Sequence, residues 1–408
     1  MIGHKSFAVL AEGTITTPKG FRAGGVYSGI KKVQRFDLGA VVCDVPAQVA
    51  GVFTTNKVTA APLEVTKESI AQEGKLQVML VNSGNANACT GAQGDADARE
   101  MRELFAKAIG VRTHYVGVTS TGVIGVPMPM QKIRDGVPAL AAALSAEGGD
   151  DFCQAIMTTD LVQKSVCVHL EIDGKQVSVA GAAKGSGMIH PNMATMLGFM
   201  TTDAVVQDGV LQQLLSEATD VTFNMITVDG DTSTNDMVVA MASGLAGNEP
   251  LHPGHPDWEW FVAAFRYVAE TLAKEIARDG EGATKLIEVN VSGAGSDADA
   301  RAIAKTIVGS NLVKSAVYGS DANWGRIIAA AGRAGVEMNP NTVDIRLGDI
   351  PVLKQSSPLL FDEGAAKAYL DGTEVAIHVD LHGGPGKATA WGCDLTYDYV
   401  KINASYRT

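Results

Sequence analysis

Nowhere does this chain contain an apolar run approaching the roughly 20 residues that a membrane-crossing helix needs. The opening stretch MIGHKSFAVLAEGTITTPKG has no continuous apolar core of signal-peptide length. The sequence therefore reads as cytoplasmic, with no membrane partner. Cysteine is sparse: Cys43, Cys89, Cys153, Cys167 and Cys393 are scattered, odd in number and without a C-x-x-C pair. That argues against a disulfide framework and fits free thiols in a reducing compartment. Charge is scarce too, at 19% of residues, and its formal balance is −12. A nucleic-acid surface would need clustered Lys and Arg, so no nucleic-acid partner is expected.

Glycine is plentiful, at 45 residues, and hydrophobic residues make up 46%. Together they imply a substantial core and many tight turns. A length of 408 residues suggests two domains or one large two-layer domain. Leu76 to Val81 reads as a buried strand running into a Gly/Asn/Ser loop. DADAREMRELFAKAIG reads as a helix capped by Asp95, with Ala98, Met101, Phe105 and Ala108 on one face and Gly110 as its stop. THYVGVTSTGVIGVP reads as a strand followed by a turn at Thr121-Gly122. SVCVHLEIDGKQVSVAG reads as a hairpin turning at Asp173-Gly174. Helices are expected over DGVLQQLLSEATD, over WEWFVAAFRYVAETLAKEIARDG and, capped by Ser296 or Asp297, over SDADARAIAKTIVG. TKLIEVNVSG should be a strand. EVAIHVDLHGG and KATAWGCDLTYDYVKINASYRT should close the chain as a β-hairpin, and the proline-rich GNEPLHPGHPD is the best linker or lid. Hairpin-joined strands with long helices between them favour an α+β layered sandwich over a doubly wound parallel sheet.

Several familiar chemistries are missing. His252 and His255 sit among prolines and read as a solvated loop. His378 and His382 share one strand face, but two ligands do not make a site, so no metal is expected. GAGSDA at Gly293 lacks the third glycine of a dinucleotide fingerprint, and there is no Walker A loop.

One stretch remains, KGSGMIHPNMATMLGFMTTDA from Lys184 to Ala204. Read structurally, it is a Gly-rich turn entering a core strand. Read chemically, Thr195 is a nucleophile made from an internal residue. A threonine hydroxyl needs an adjacent base. Cleavage before Thr195 would place a new α-amine, with an ordinary pKa near 8, beside its own Oγ1. Ala194 shields its carbonyl little, and glycines can hold that peptide bond in a strained geometry open to attack. Such a site needs an oxyanion hole, and Thr121-Gly122 offers a hydroxyl and unhindered backbone N–H groups.

KGSGMIHPNMATML, STGVIG, VNSGNANACTG, MTTD and DGEGATK together resemble the glutamate N-acetyltransferases, also called ornithine acetyltransferases, of the cyclic arginine pathway. The resemblance runs from GFRAGGVYSGIKK to NASYRT, essentially the whole chain. It implies an αββα-type sandwich, similar to but topologically distinct from the N-terminal-nucleophile hydrolases, with a smaller C-terminal α/β lobe. It implies self-cleavage between Ala194 and Thr195 into an α chain (1–194) and a β chain (195–408) that assemble as an α2β2 heterotetramer.

The resemblance also assigns roles. Thr195 would be the nucleophile, and Thr121 and Gly122 the oxyanion hole. Thr158 of MTTD, Lys184, Glu281, Asn403 and Thr408 would contact substrate. The MTTD tetrapeptide recurs at Met200 to Asp203, and the spacing to Lys184 selects the first copy. The implied reaction moves the acetyl group of N2-acetyl-L-ornithine to L-glutamate through an acetyl-threonine. No cofactor is implied, and some members also take acetyl-CoA as donor. The rival readings are an N-terminal-nucleophile amidase or aminopeptidase and a non-catalytic binding protein on the same scaffold.

Overall fold

The computed structural model describes residues 6–190 and 196–405. By internal packing these form two units: 6–185, 196–223 and 232–272 in the first, and 186–190, 224–231 and 273–405 in the second.

The first unit is built on a strand that is apolar on both faces. Along Leu38–Phe53, the side chains of Leu38, Ala40 and Val42 join one core and those of Val41 and Cys43 the other, the period of two that a pleated strand imposes. Helices Gly91–Ile109 and Met130–Ala143 cover the first face, inserting Ala98, Met101 and Phe105 and then Ile133, Val137 and Leu140 at helical spacing. The opposite core takes Phe152 of helix Gly149–Ile156, which meets Phe199 edge-on at 5.2 Å. The nine-stranded sheet runs Ala8–Val9, Lys164–Ile172, Lys175–Lys184, Leu197–Thr202, Met237–Ala242, Leu38–Phe53, Lys75–Asn85, Val116–Val123, with Phe21–Val26 paired to Leu38–Phe53 off that path. Most pairs are antiparallel. Leu197–Thr202 with Met237–Ala242 and Lys75–Asn85 with Val116–Val123 are parallel.

The expected hairpin is present. Asp173 and Gly174 have φ of 52° and 71°, the left-handed pair that an Asp-Gly turn supplies to antiparallel strands. Gly110 ends its helix at φ 75°, as expected. Asp95, however, is no cap. The helix starts a turn earlier, at Gly91, because Asn87 donates to the Gly94 carbonyl and accepts from the Thr90 hydroxyl. Nor is GNEPLHPGHPD a loose linker. Leu251 is fully buried and bridges to Val206, its N–H donates to the Val205 carbonyl, and Asn248 exchanges hydrogen bonds with Val205. Its prolines prevent regular structure without freeing the backbone, because side chains satisfy the polar groups that a ladder would have paired.

The second unit holds a seven-stranded sheet ordered Ser357–Pro358, Ile350–Lys354, Asp344–Leu347, Glu374–Asp380, Leu286–Ala294, Gly386–Cys393, Ile226–Thr227. Helix Asp297–Val308 packs on it through Ala300, Ile303, Ala304 and Ile307. Its cap is Ser296, whose hydroxyl accepts from the Asp299 N–H at 3.1 Å.

Two expectations fail here. Glu374–Asp380 and Gly386–Cys393 do not form a closing hairpin, because Leu286–Ala294 lies between them, parallel to the first and antiparallel to the second. That strand buries Ile287, Val289 and Val291, so a central place in the sheet suits it better than an edge. The segment after Cys393 is not strand either: Tyr397–Ala404 is a helix capped by the Thr396 hydroxyl. Among the described residues the architecture is α+β with mixed sheets, and no helix is long and apolar enough to cross a membrane.

Candidate active site

Thr121 and Gly122 lie within the strand Val116–Val123, not in a turn after it. Ser83 and Gly84 stand opposite them, and the ladder turns irregular at Asn85. Gly122 has φ 134°, and a Cβ there would lie 2.4 Å from the Gly84 carbonyl carbon. No side chain fits, so the close crossing of two backbones requires this glycine.

Lys184 ends the strand that follows the Asp-Gly turn and is almost completely buried. Its Nζ donates to Thr121 Oγ1 at 3.4 Å, leaving the hydroxyl proton of Thr121 available for another acceptor. The strand ends because Gly185 takes φ 155° and gives its N–H to Asp160 Oδ1 at 2.7 Å. Asp160 also accepts from the Thr158 N–H at 2.9 Å and from Lys164 Nζ at 2.9 Å, the last pair being wholly buried. Burial would raise this carboxyl. The charges of Lys184 and Lys164 and the two amide hydrogens outweigh burial and hold it well below the usual carboxylate range. Of the predicted residues in this unit, the structure thus joins Thr121 directly to Lys184 and ties Thr158 to the residue after Lys184 through Asp160. In the second MTTD copy the polar groups are spent on backbone: Thr201 donates to Ile15, Thr202 to Ser178, and Asp203 accepts from Ser178 and Lys19.

In the second unit Asn403 Nδ2 donates to Glu281 Oε2 at 2.7 Å. Asn403 reaches it from a helix and not from the expected strand. Glu281 is buried and its N–H donates to the Ser186 carbonyl, while a Cβ on Gly187 would lie 2.4 Å from the Glu281 carboxyl carbon. The segment leading toward the expected cleavage point is pinned further on: Asp229 accepts from the Met188 N–H at 2.7 Å, from the Ile189 N–H at 2.9 Å and from the Tyr399 hydroxyl. Burial raises the Asp229 carboxyl, and these amide bonds oppose the rise. His190 contacts the Thr227 hydroxyl at 3.0 Å; burial and the Lys305 charge push its imidazole down to about 4, so it is neutral at pH 7. Ala194, Thr195 and Thr408 lie outside the described residues.

Sequence reasoning gave no role to Asp160, Asp229 or Asp236. Asp160 had a visible signal, since it closes the MTTD motif. Asp236 had none. It precedes Met237, whose N–H donates to the carbonyl of Met196, the residue bonded to Thr195. Burial raises its carboxyl well above the ordinary value, and its Oδ2 has no hydrogen-bond partner among the described residues.

His255 is buried, against the expectation of a solvated loop. With Asp173 and Asp257 it makes the one group of described residues with metal-ligand proximity. Its Nδ1 accepts from the Asp257 N–H at 3.0 Å and its Nε2 lies 3.2 Å from Asp173 Oδ2. Both ring nitrogens are occupied, so the cluster fastens the proline-rich segment and offers an ion no imidazole lone pair.

The ArgJ family model matches residues 22–408. An arginine biosynthesis bifunctional protein ArgJ of Geobacillus kaustophilus is 60% identical over 399 residues, 98% of this chain and 97% of the relative. The protein of the same name from Bacillus cereus is 58% identical over 408 residues, covering 100% of both. Among solved structures, an arginine biosynthesis bifunctional protein argJ of Bacillus halodurans is 62% identical with a TM-score of 0.51, and covers 52% of this chain and 100% of its own. An ornithine acetyltransferase of Mycobacterium tuberculosis, complexed with ornithine, is 39% identical with a TM-score of 0.44, covering 46% and 100%.

Proposed function

This chain belongs to the ArgJ family, and on that premise we propose that it moves the acetyl group of N2-acetyl-L-ornithine to L-glutamate through an acetyl ester on Thr195, and that it also accepts acetyl-CoA as donor. It is an arginine-biosynthesis acetyltransferase, a glutamate N-acetyltransferase with a second, amino-acid N-acetyltransferase activity. The observation that carries this reading is the near full-length identity to relatives named as bifunctional proteins of that pathway.

In this reading Thr195 Oγ1 attacks the Ala194 carbonyl and the acyl shift breaks the Ala194–Thr195 amide, which frees the Thr195 α-amine. Water then hydrolyses the resulting ester, releasing the Ala194 carboxylate and restoring the Oγ1 hydroxyl. That amine then takes the Oγ1 proton as the hydroxyl attacks the acetyl carbonyl of acetylornithine. The Thr121 hydroxyl and the Gly122 N–H hold the oxyanion, and ornithine leaves as the amine. Glutamate attacks the acetyl-threonine and departs as N-acetylglutamate, so no ATP is consumed. Lys184 pairs a substrate carboxylate, Glu281 the ornithine ammonium, and Thr158, Asn403 and Thr408 orient the amino acid through polar groups.

Residues 195–408 would form the β chain, just over half the sequence. In support, the 62%-identical solved chain, matched over its whole length, spans 52% of this one. The finer fold is taken as the αββα sandwich distinct in topology from N-terminal-nucleophile hydrolases. The assembly is taken as a cytoplasmic α2β2 heterotetramer that needs no cofactor.

The test is to incubate purified protein with acetylornithine, with and without glutamate, and to follow both products. Transfer requires N-acetylglutamate in step with ornithine. Sustained ornithine release without glutamate means that water is the acceptor and favours the amidase reading.

Two variants probe the roles. Thr121→Ala should lower kcat about 100- to 1,000-fold with KM little changed, because the charge it meets develops only in the transition state. Steady-state kinetics at saturating glutamate check it, and full turnover would remove Thr121 from the mechanism. Asn403→Ala should raise KM for acetylornithine about 2- to 12-fold, the worth of one hydrogen bond of about 0.5–1.5 kcal/mol. A wild-type KM in correctly cleaved protein would make the Glu281 contact purely structural.

A further inference from the structure

Residues 13–36 contain no Asp or Glu, yet they carry Lys19, Arg22, Lys31, Lys32 and Arg35 in a chain whose formal net charge is −12. Arg22 is paired with Asp44, and the other end of the segment is a loop between the strands Phe21–Val26 and Leu38–Phe53. The loop is rigidly based. Asp37, fully buried, accepts from the Ser28 N–H at 2.6 Å, the Ser28 hydroxyl at 2.8 Å and the Lys31 N–H at 3.0 Å. Its one carboxylate is therefore spent inward, while Lys32, Val33, Gln34 and Arg35 are exposed. Lys132 reaches in from its helix to the Gly29 carbonyl and adds a further cation.

The loop also lies against the candidate oxyanion site. A Cβ on Gly84 would meet Ile30 and the Lys31 stem at 3.2 Å, and one on Gly122 would meet Gly84. Lys31 Nζ donates to the Phe36 carbonyl. Burial lowers its ammonium to about 8; the nearby charges of Arg35 and Lys184 push it the same way, and Asp37 and Asp160 oppose them. The exposed Lys32, Arg35 and Lys132 add positive charge around this loop, which would attract a polyanion arriving there. Tyr27 and Val33 of the same loop are exposed and supply apolar surface, the tyrosine a flat ring.

We propose that the loop Tyr27–Phe36, with Lys132, binds the phosphate and adenine end of acetyl-CoA, its thioester lying toward Thr121 and Gly122. The proposal rests on the reading of acetyl-CoA as a second donor. Acetylornithine, a small zwitterionic substrate, has nothing to extend this far. Arg35 lies four positions after Lys31, at most about 14 Å of extended chain, a span that the pantetheine arm of coenzyme A can bridge. Tyr27 and Val33 would flank the adenine, and Lys32, Arg35 and Lys132 would meet the phosphates as point charges and forks.

The test uses the full, self-processed protein and a double variant, Lys32→Ala with Arg35→Ala, at exposed positions where folding should be unaffected. Initial rates are measured with each donor at saturating glutamate. The KM for acetyl-CoA should rise about 5- to 30-fold, as two exposed phosphate contacts would give, while kcat/KM for acetylornithine stays within about twofold. In the wild type, 3′,5′-ADP should compete with acetyl-CoA but not with acetylornithine. Raising ionic strength should weaken acetyl-CoA use more in the wild type than in the variant. An unchanged KM for acetyl-CoA in the variant, or an equal loss with both donors, overturns this inference alone. A wild-type protein that turns over acetylornithine but never acetyl-CoA overturns the second-donor reading and the loop's role with it.

Discussion

Thr195→Ala should leave the protein as one chain of 42.5 kDa with no acetyl transfer above background. In the proposed mechanism Oγ1 attacks the Ala194 carbonyl, so without it the peptide bond should stay closed and release no α-amine. The same atom is proposed to accept the acetyl group, so maturation and turnover should be lost together. Thr195→Ser separates chemistry from folding. It keeps the hydroxyl but loses the β-branch that restricts χ1, so it should cleave and turn over more slowly without losing either step. Denaturing electrophoresis and N-terminal sequencing of the smaller piece read the first step, and product assays the second. A wild-type fragment that begins at any residue other than Thr195 removes the nucleophile from this account. So does an alanine variant that still cleaves.

Asp160→Ala should be the most damaging substitution for stability. The Asp160 carboxylate and the Lys164 ammonium lie 2.9 Å apart with both side chains wholly buried. Taking away one partner of a buried pair typically costs about 3–5 kcal/mol, because the other charge is left without compensation. The Gly185 and Thr158 N–H groups would lose their acceptor as well. Asp160→Asn should recover part of the loss, since its side-chain oxygen can still accept from one of these amides. The folded-state pKa of Asp160 is depressed, so its contribution is fully present above the unfolded carboxylate value of about 3.9 and is lost as pH falls from there through the lower folded value. Denaturant unfolding of the wild type and both variants between neutral pH and pH 3 checks the magnitude and the sign. Equal stabilities at pH 7 would show that Asp160 does not hold this buried network together.

Much of the local structure could be read directly. Asp173-Gly174 makes its turn because two left-handed residues in succession are costly for most pairs and easy for this one. Gly110 stops its helix for the same reason. The helix stripe through Ala98, Met101 and Phe105 follows from the 3.6-residue period alone. Where local readings failed, side-chain contacts that residue type does not announce had decided, some of them near in sequence and some distant. Asp95 is a good cap by type, but the Asn87 and Thr90 network starts the helix earlier. HPGH reads as solvated from its prolines, but Asp173, 82 residues away, draws His255 inside.

The sequence by itself determined the family and the residues worth testing, because a motif such as MTTD or KGSGMIHPNMATML is a local string whose chemistry travels with its residue types. Only the tertiary structure decided which of them meet. Thr121 and Lys184 come together across 63 residues, and Glu281 and Asn403 across 122. It also decided that Leu286–Ala294 separates two strands that looked like a hairpin, and that the segment reaching Glu281 is a helix. The physical reason is that periodicity specifies which face of an element must be buried but not what buries it. That choice is made by competition among all the apolar surfaces of the folded chain, and a carboxylate such as the buried Asp160 or the half-buried Asp229 then takes whichever N–H groups the winning arrangement leaves unpaired.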